Sequence, residues 1–168
     1  MPDKKAAGTD IVVIGATPAG VMAAIAAARL GSSVILAEYH GHIGGMSTSG
    51  LGKSDIENKD AIAGLFKEFT SRIKQYYVDK YGETSENVVK CKEGYYYEPS
   101  VAEHVFNQMV GQEKNIQLLV SHQIEKVNVQ GDTAQEVVLK DRVKNEMKTI
   151  KAKVFVDATY EGDVYALA

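Results

Sequence analysis

Residues Asp10 to Glu38 constrain this chain more than any other segment. They read Asp10-Ile-Val-Val-Ile-Gly15-Ala-Thr-Pro-Ala-Gly20, an alanine-dominated stretch to Gly31, and Val34-Ile-Leu-Ala-Glu38. Four successive apolar residues after Asp10 suit a strand buried on both faces, as in a parallel sheet. Glycine at 15 permits a tight turn out of that strand. Pro18 suits a first helical turn, and alanine is the strongest helix former, with a side chain small enough to let the helix lie close to a sheet. Gly31 ends the helix. The expectation is a strand over about Asp10 to Ile14, a helix from Pro18 to Leu30 and a second strand from Ser33 to Glu38. That is a Rossmann-like βαβ unit in an α/β fold.

Such a unit aims backbone N–H groups and the positive end of a helix dipole at the turn, where a pyrophosphate binds. Glu38, eighteen positions after Gly20, falls where an acid hydrogen-bonds a ribose 2′-hydroxyl. The turn departs from G-x-G-x-x-G at Thr17, which replaces the second glycine and brings a hydroxyl suited to donating to a phosphate. An ordinary βαβ turn that binds nothing is the plain alternative for the turn, and a solvated acid for Glu38.

A chain of 168 residues suits one domain over 1–168, with roughly 70% of its unfolded surface buried on folding. Its 19 basic and 22 acidic side chains give a net charge of −3, with no basic face for nucleic acid and no charged tail. The single cysteine, Cys91, excludes an internal disulfide. The longest apolar tract, Val21 to Leu30, is too short to span a bilayer. No apolar signal region leads the chain, so a cytoplasmic location is the default, or a periplasmic or secreted one if a signal has been removed.

Beyond Glu38 lies a glycine-rich loop, Gly41-His-Ile-Gly-Gly-Met-Ser-Thr-Ser-Gly-Leu-Gly52, longer than an idle connection needs. Apolar residues at 62, 65, 66, 69, 73, 76 and 77 keep helical spacing, ending near Gly82. Thr84 to Glu93 is polar and undetermined. Tyr95 to Tyr97 reads as a half-buried strand, and Ser100-Val-Ala-Glu103 as a capping box for a helix to about Gly111. Gln117 to Val120 is a short strand. Gln123 to Gln130, Thr133 to Lys140 and Lys144 to Lys151 form a three-stranded antiparallel meander. Val154 to Asp157 is one more buried strand, followed by a loop to Asp163 and the start of a helix. The sequence stops one turn into that helix, so the chain is expected to be the amino-terminal part of a longer protein.

His40 and His42 lack the partners and spacing of a metal site, and no metal is expected. His104 and His122 read as structural, and Cys91 has no evident base beside it. The tyrosines at 95 to 97 are candidates for flanking a substrate. Asp157 and Asp163 bracket a turn, where an acid also suits a sugar or polyol hydroxyl.

Taken together, Gly15-Ala-Thr-Pro-Ala-Gly20, Gly41 to Gly52, Tyr97-Glu-Pro-Ser-Val-Ala-Glu103 and Asp157-Ala-Thr-Tyr-Glu-Gly-Asp163 resemble the bacterial FAD-dependent oxidoreductases. These belong to the glutathione-reductase-like superfamily, and in this group G-x-T-P-A-G opens the chain. The resemblance implies an FAD pyrophosphate surrounded by Gly15, Thr17, Pro18, Ala19 and Gly20, with Glu38 on the adenosine ribose. It implies that Gly44, Gly45 and Met46 run toward the flavin, with Ser47 to Ser49 near the ribityl chain or ring. Ile124 would touch adenine through its backbone, and Ala158 and Thr159 would close over the adenosine side. Relatives of this kind continue for several hundred residues, so the substrate domain and catalytic residues are expected from a further polypeptide segment or a partner protomer. The expected activity transfers a hydride or electron pair from a small organic substrate. Two other readings stay open, a non-catalytic nucleotide-binding or assembly module and an NAD-dependent dehydrogenase domain.

Overall fold

A computed structural model of the chain describes residues 7–168. The first six positions, part of the segment read for a signal, lie outside the described residues. The chain divides into two compact units, one running to Ile43 and resuming over Glu113–Ala168, the other spanning Gly44–Gln112.

The first unit is built on six strands, β1 (Ala7–Ile14), β2 (Val34–Ala37), β3 (Ile116–Leu119), β4 (His122–Gln130), β5 (Thr133–Asp141) and β6 (Glu146–Asp157). They form one sheet in the order β3-β2-β1-β6-β5-β4. β3, β2, β1 and β6 run parallel, whereas β5 is antiparallel to both β4 and β6. All four residues of β2 are buried, which explains its unbroken apolar run. Helix α1 (Pro18–Arg29) connects β1 to β2 with Pro18 at its start, burying Gly20, Val21, Ala24, Ile25 and Ala28. A core of Val12, Ile14, Ile35, Ala37, Val127, Val137, Leu139, Ile150 and Val164 joins the parallel strands to the meander and to a short final helix, α5 (Asp163–Leu167).

One expectation is corrected here. Lys144 to Lys151 and Val154 to Asp157 are a single twelve-residue strand, β6. Its first half pairs with β5 through Asp141↔Glu146 to Glu136↔Lys151, and its second half continues beside β1 to Ile14↔Asp157. The two halves read as separate strands because they pair with different neighbours. The second half is not buried as expected: Phe155 and Val156 are half-buried, whereas Val154 and Asp157 are exposed on the side that β5 no longer covers.

The second unit contains α2 (Gly64–Tyr81), α3 (Glu86–Lys90) and α4 (Pro99–Gly111). α2 begins later than its apolar spacing suggests, and α3 occupies the stretch that sequence left undetermined. α2 and α4 pack together, with Phe69 and Phe106 stacked at 4.3 Å between ring centroids. Tyr95 to Tyr97 is not a strand. Only Tyr96 pairs, in an isolated bridge with Lys53, although burial alternates, with Tyr95 and Tyr97 inside and Tyr96 exposed.

The capping box is also absent. Pro99 occupies the first helical position of α4 and Glu98 is its N-cap, because proline lacks the N–H whose loss matters least there. Glu98 is held instead by Tyr77, whose hydroxyl donates to the Glu98 carboxylate and accepts from Glu98 N at 3.0 Å. Burial and that carboxylate together push the Tyr77 hydroxyl well above the ordinary phenol range.

Candidate functional site

The carboxyl ends of β1, β2 and β6 meet at the turn from Gly15 to Gly20. Gly15 leaves β1 at φ +91°, a conformation side-chain-bearing residues rarely adopt, and its N–H donates to Ala37 O at 2.8 Å. A Cβ on Gly15 would stand 2.7 Å from Ala158 O. At Gly20 it would overlap the Gly15 carbonyl. Both glycines are therefore required by close backbone approach as well as by turning.

Thr17 is the N-cap of α1. Its side chain accepts from Gly20 N at 3.3 Å and donates to Ala158 O at 2.9 Å. The hydroxyl that sequence offered to a phosphate is thus spent within the protein, tying the turn to the residue after β6. Pro18 contributes no N–H, Ala16 N goes to Glu38 Oε2 at 2.7 Å, and Val21 N to Thr17 O. Among the described residues, the amides of Thr17 and Ala19 have no partner. They open the helix whose dipole is positive at this end, an arrangement whose chemistry suits an anion.

Glu38 is 8% exposed and does more than end a strand. Besides Ala16 N, its carboxylate accepts from His40 N at 2.9 Å. Each oxygen retains further acceptor capacity, so the acid anchors the turn and can still take a hydroxyl. Its backbone is fixed as well, with Glu38 N donating to Leu119 O and His122 N to Glu38 O. That second bond sets the start of β4 beside the acid, with Ile124 two residues along and packed against the core.

Ala158 and Thr159 are organised by Asp157. One Asp157 oxygen accepts from the Thr159 hydroxyl at 2.6 Å and Thr159 N at 3.1 Å, and the other from Tyr165 N at 3.0 Å. Burial raises this carboxyl, but those hydrogen bonds outweigh it and hold it below the ordinary range. Sequence pointed to Asp157 only as a turn acid or a hydroxyl binder. Its role as the organiser of this loop depends on Tyr165, which no local pattern announces.

The structure thus brings Gly15, Thr17, Pro18, Ala19, Gly20, Glu38, Ala158 and Thr159 to one place, with Ile124 nearby. Gly44, Gly45, Met46 and Ser47 belong to the second unit. Gly44 there has φ +101° and no room for a side chain, since a Cβ would lie 2.7 Å from the Phe106 ring. Gly45–Ser47 forms one 3-10 turn, with Met46 exposed. Among the described residues no three His, Cys, Asp or Glu side chains gather to hold a metal, and no helix is long and apolar enough to cross a membrane.

The sequence model described as FAD dependent oxidoreductase matches residues 10–168. The chain belongs to that family. Its matched region takes in the Gly15 to Gly20 turn, Glu38 and the Asp157 loop. No curated protein matches the sequence. Solved structures match the fold at low identity. THI4 from Thermovibrio ammonificans is 19% identical with a TM-score of 0.64, covering 95% of this chain and 61% of its own. The quinol fumarate reductase FrdA of E. coli is 17% identical with a TM-score of 0.60, covering 92% of this chain and 33% of its own. L-proline dehydrogenase from P. horikoshii is 21% identical with a TM-score of 0.53, covering 91% and 22%. The chain therefore spans less than two thirds of each. FAD is the cofactor of this family, and the side-chain-free approach at Gly15 and Gly20, with two uncommitted amides beside it, fits a dinucleotide pyrophosphate.

Proposed function

We propose that the chain forms the FAD-binding part of a flavin-dependent oxidoreductase that moves a hydride or electron pair from a small organic substrate to a second acceptor. The observation that carries the reading is the cradle at the start of α1, where Thr17 N and Ala19 N are uncommitted and Gly15 and Gly20 leave no side chain in the way.

In this reading Gly15, Thr17, Pro18, Ala19 and Gly20 surround the pyrophosphate. Glu38 accepts from the adenosine ribose with the capacity left after Ala16 N and His40 N. The backbone at Ile124 faces adenine, and Ala158 and Thr159 close the adenosine side. Gly44, Gly45, Met46 and Ser47 run toward the flavin. The bound flavin supplies the redox chemistry, and the residues of this chain supply binding and orientation. Residues that exchange protons with substrate are assigned to a further segment or a partner protomer, as the chain's share of the matched structures suggests. We also take the source to be bacterial and the location to be cytoplasmic, on the sequence patterns alone.

The test is the visible spectrum of purified chain, titrated with FAD if colourless. A flavin band with altered fluorescence is expected. Failure to take up FAD, with ADP or NAD still protecting against heat, overturns the flavin assignment in favour of a different nucleotide.

A further inference from the structure

Three consecutive carbonyls leave β2, and each has a partner. His122 N donates to Glu38 O and Ser121 N to His40 O, both at 2.8 Å. The middle one, Tyr39 O, accepts from Arg142 Nη1 at 3.1 Å, across 103 positions of sequence. The same guanidinium lies over the Tyr39 ring, 3.8 Å from its centroid. His40 meets that ring edge-on at 5.0 Å. Tyr39 nevertheless remains 44% exposed.

The turn that carries Arg142 does not need this stack. Asp141 closes it through bonds from Val143 N, Lys144 N and Asn145 N, and Arg142 N is already held by Ser121 O. A flat cation on a half-exposed aromatic ring is thus additional to the bonds that close the turn, although the same guanidinium also holds Tyr39 O. It sits at the carboxyl edge of the sheet, one residue past Glu38 and beside the first residue pair of β4 and β5, His122↔Asp141.

We propose that the Arg142–Tyr39 stack is the base-recognising wall of the dinucleotide site and takes the adenine by its face. This rests on the reading that Glu38 holds the adenosine ribose. The base is bonded to that sugar and lies one group further along, as Tyr39 lies one residue further than Glu38. A guanidinium already laid on a phenol ring is planar, weakly hydrated and pre-organised, which favours stacking with a neutral heteroaromatic ring. A lysine at 142 would keep the charge and lose the plane.

The test compares two probes on the whole chain by titration calorimetry. Inorganic pyrophosphate reports the turn alone, and ADP reports the turn together with adenosine. Arg142→Ala is expected to weaken ADP about tenfold, within the range that one stack on a nucleobase supplies, and to leave pyrophosphate unchanged. Arg142→Lys is expected to behave as Ala does. Undiminished ADP affinity in Arg142→Ala would overturn the proposal. So would parallel loss of both probes, which is the signature of a residue that merely holds the loop. Should Arg142→Ala not fold, Tyr39→Leu removes the other half of the stack and is held to the same outcomes. A wild-type chain that bound neither probe would overturn the dinucleotide reading and this proposal with it.

Discussion

Thr17 and Ala158, 141 positions apart, are joined by a single hydrogen bond of 2.9 Å from the Thr17 hydroxyl to the Ala158 carbonyl. The same hydroxyl caps α1 by accepting from Gly20 N. One side chain therefore fixes the helix start and binds it to the loop after β6. The position filled by glycine in the common fingerprint is used here as a clasp.

That clasp is separable by substitution. Thr17→Val removes both the acceptor and the donor while nearly conserving volume. A lost cap and a lost buried hydrogen bond together suggest destabilisation of about 1–3 kcal/mol. Thr17→Ser retains the hydroxyl and is expected to stay within about 0.5 kcal/mol of wild type. Urea unfolding of the three chains measures the difference, and equal midpoints for Val and Ser would show that the clasp carries no stability.

Gly15→Val is expected to abolish FAD uptake. The new Cβ would be forced to 2.7 Å from Ala158 O at a φ of +91°, against a backbone that has no room to withdraw. Flavin absorbance after gel filtration is the readout. Retained uptake would remove the turn from the site.

Glu38→Gln keeps the shape of the side chain but replaces one acceptor oxygen with a donor. Ala16 N and His40 N both point at the carboxylate, so one N–H must face an NH₂ group. Leaving a buried donor unmatched costs about 1–3 kcal/mol. The variant should lose thermal stability even without nucleotide and bind ADP at least about tenfold more weakly, since 1.4 kcal/mol corresponds to that factor. Calorimetry and a melting curve check the two effects separately.

The acid limb of stability should depend on Asp10 and Asp157. A hydrogen bond from Lys153 at 2.7 Å, with further bonds from Ser33, holds Asp10 well below the usual carboxylate range. Asp157 is lowered by its loop bonds despite burial. A carboxyl lowered by folding stabilises above its unfolded value, about pH 4, and that contribution is lost as pH falls through the folded value. Asp157→Asn and Asp10→Asn should each flatten the fall in melting temperature below about pH 4. In 1 M salt the Asp10 effect should shrink, because both partners face solvent.

Phe106→Ala tests the second unit. The ring is buried, stacks on Phe69 and lies against the space that Gly44 leaves open. Removing it should cost about 3–5 kcal/mol by cavity formation, read by hydrogen exchange along α2 and α4. Unchanged protection there would mean that the stack is not what holds these helices.

Residues 10 to 38 were legible because their structure is dictated locally. An apolar run, a glycine turn, a proline at a helix start and a small-residue helix each depend on neighbours within a few positions. The meander and the α2 and α4 helices were readable for the same reason, through the periods of two and about 3.6. What the sequence did not reveal is where distant groups meet. β6 looked like two strands because its halves face different partners. Ser100 looked like a cap until Pro99 and Tyr77 secured the helix start from elsewhere. The Thr17 hydroxyl looked available until Ala158 claimed it, and the Arg142 stack on Tyr39 had no local signal at all. Short-range sterics and periodicity are written in order along the chain, and they determined the βαβ unit and its glycine turn. Hydrogen bonds across 100 or more positions depend on strand order and register, and only the folded sheet decided those.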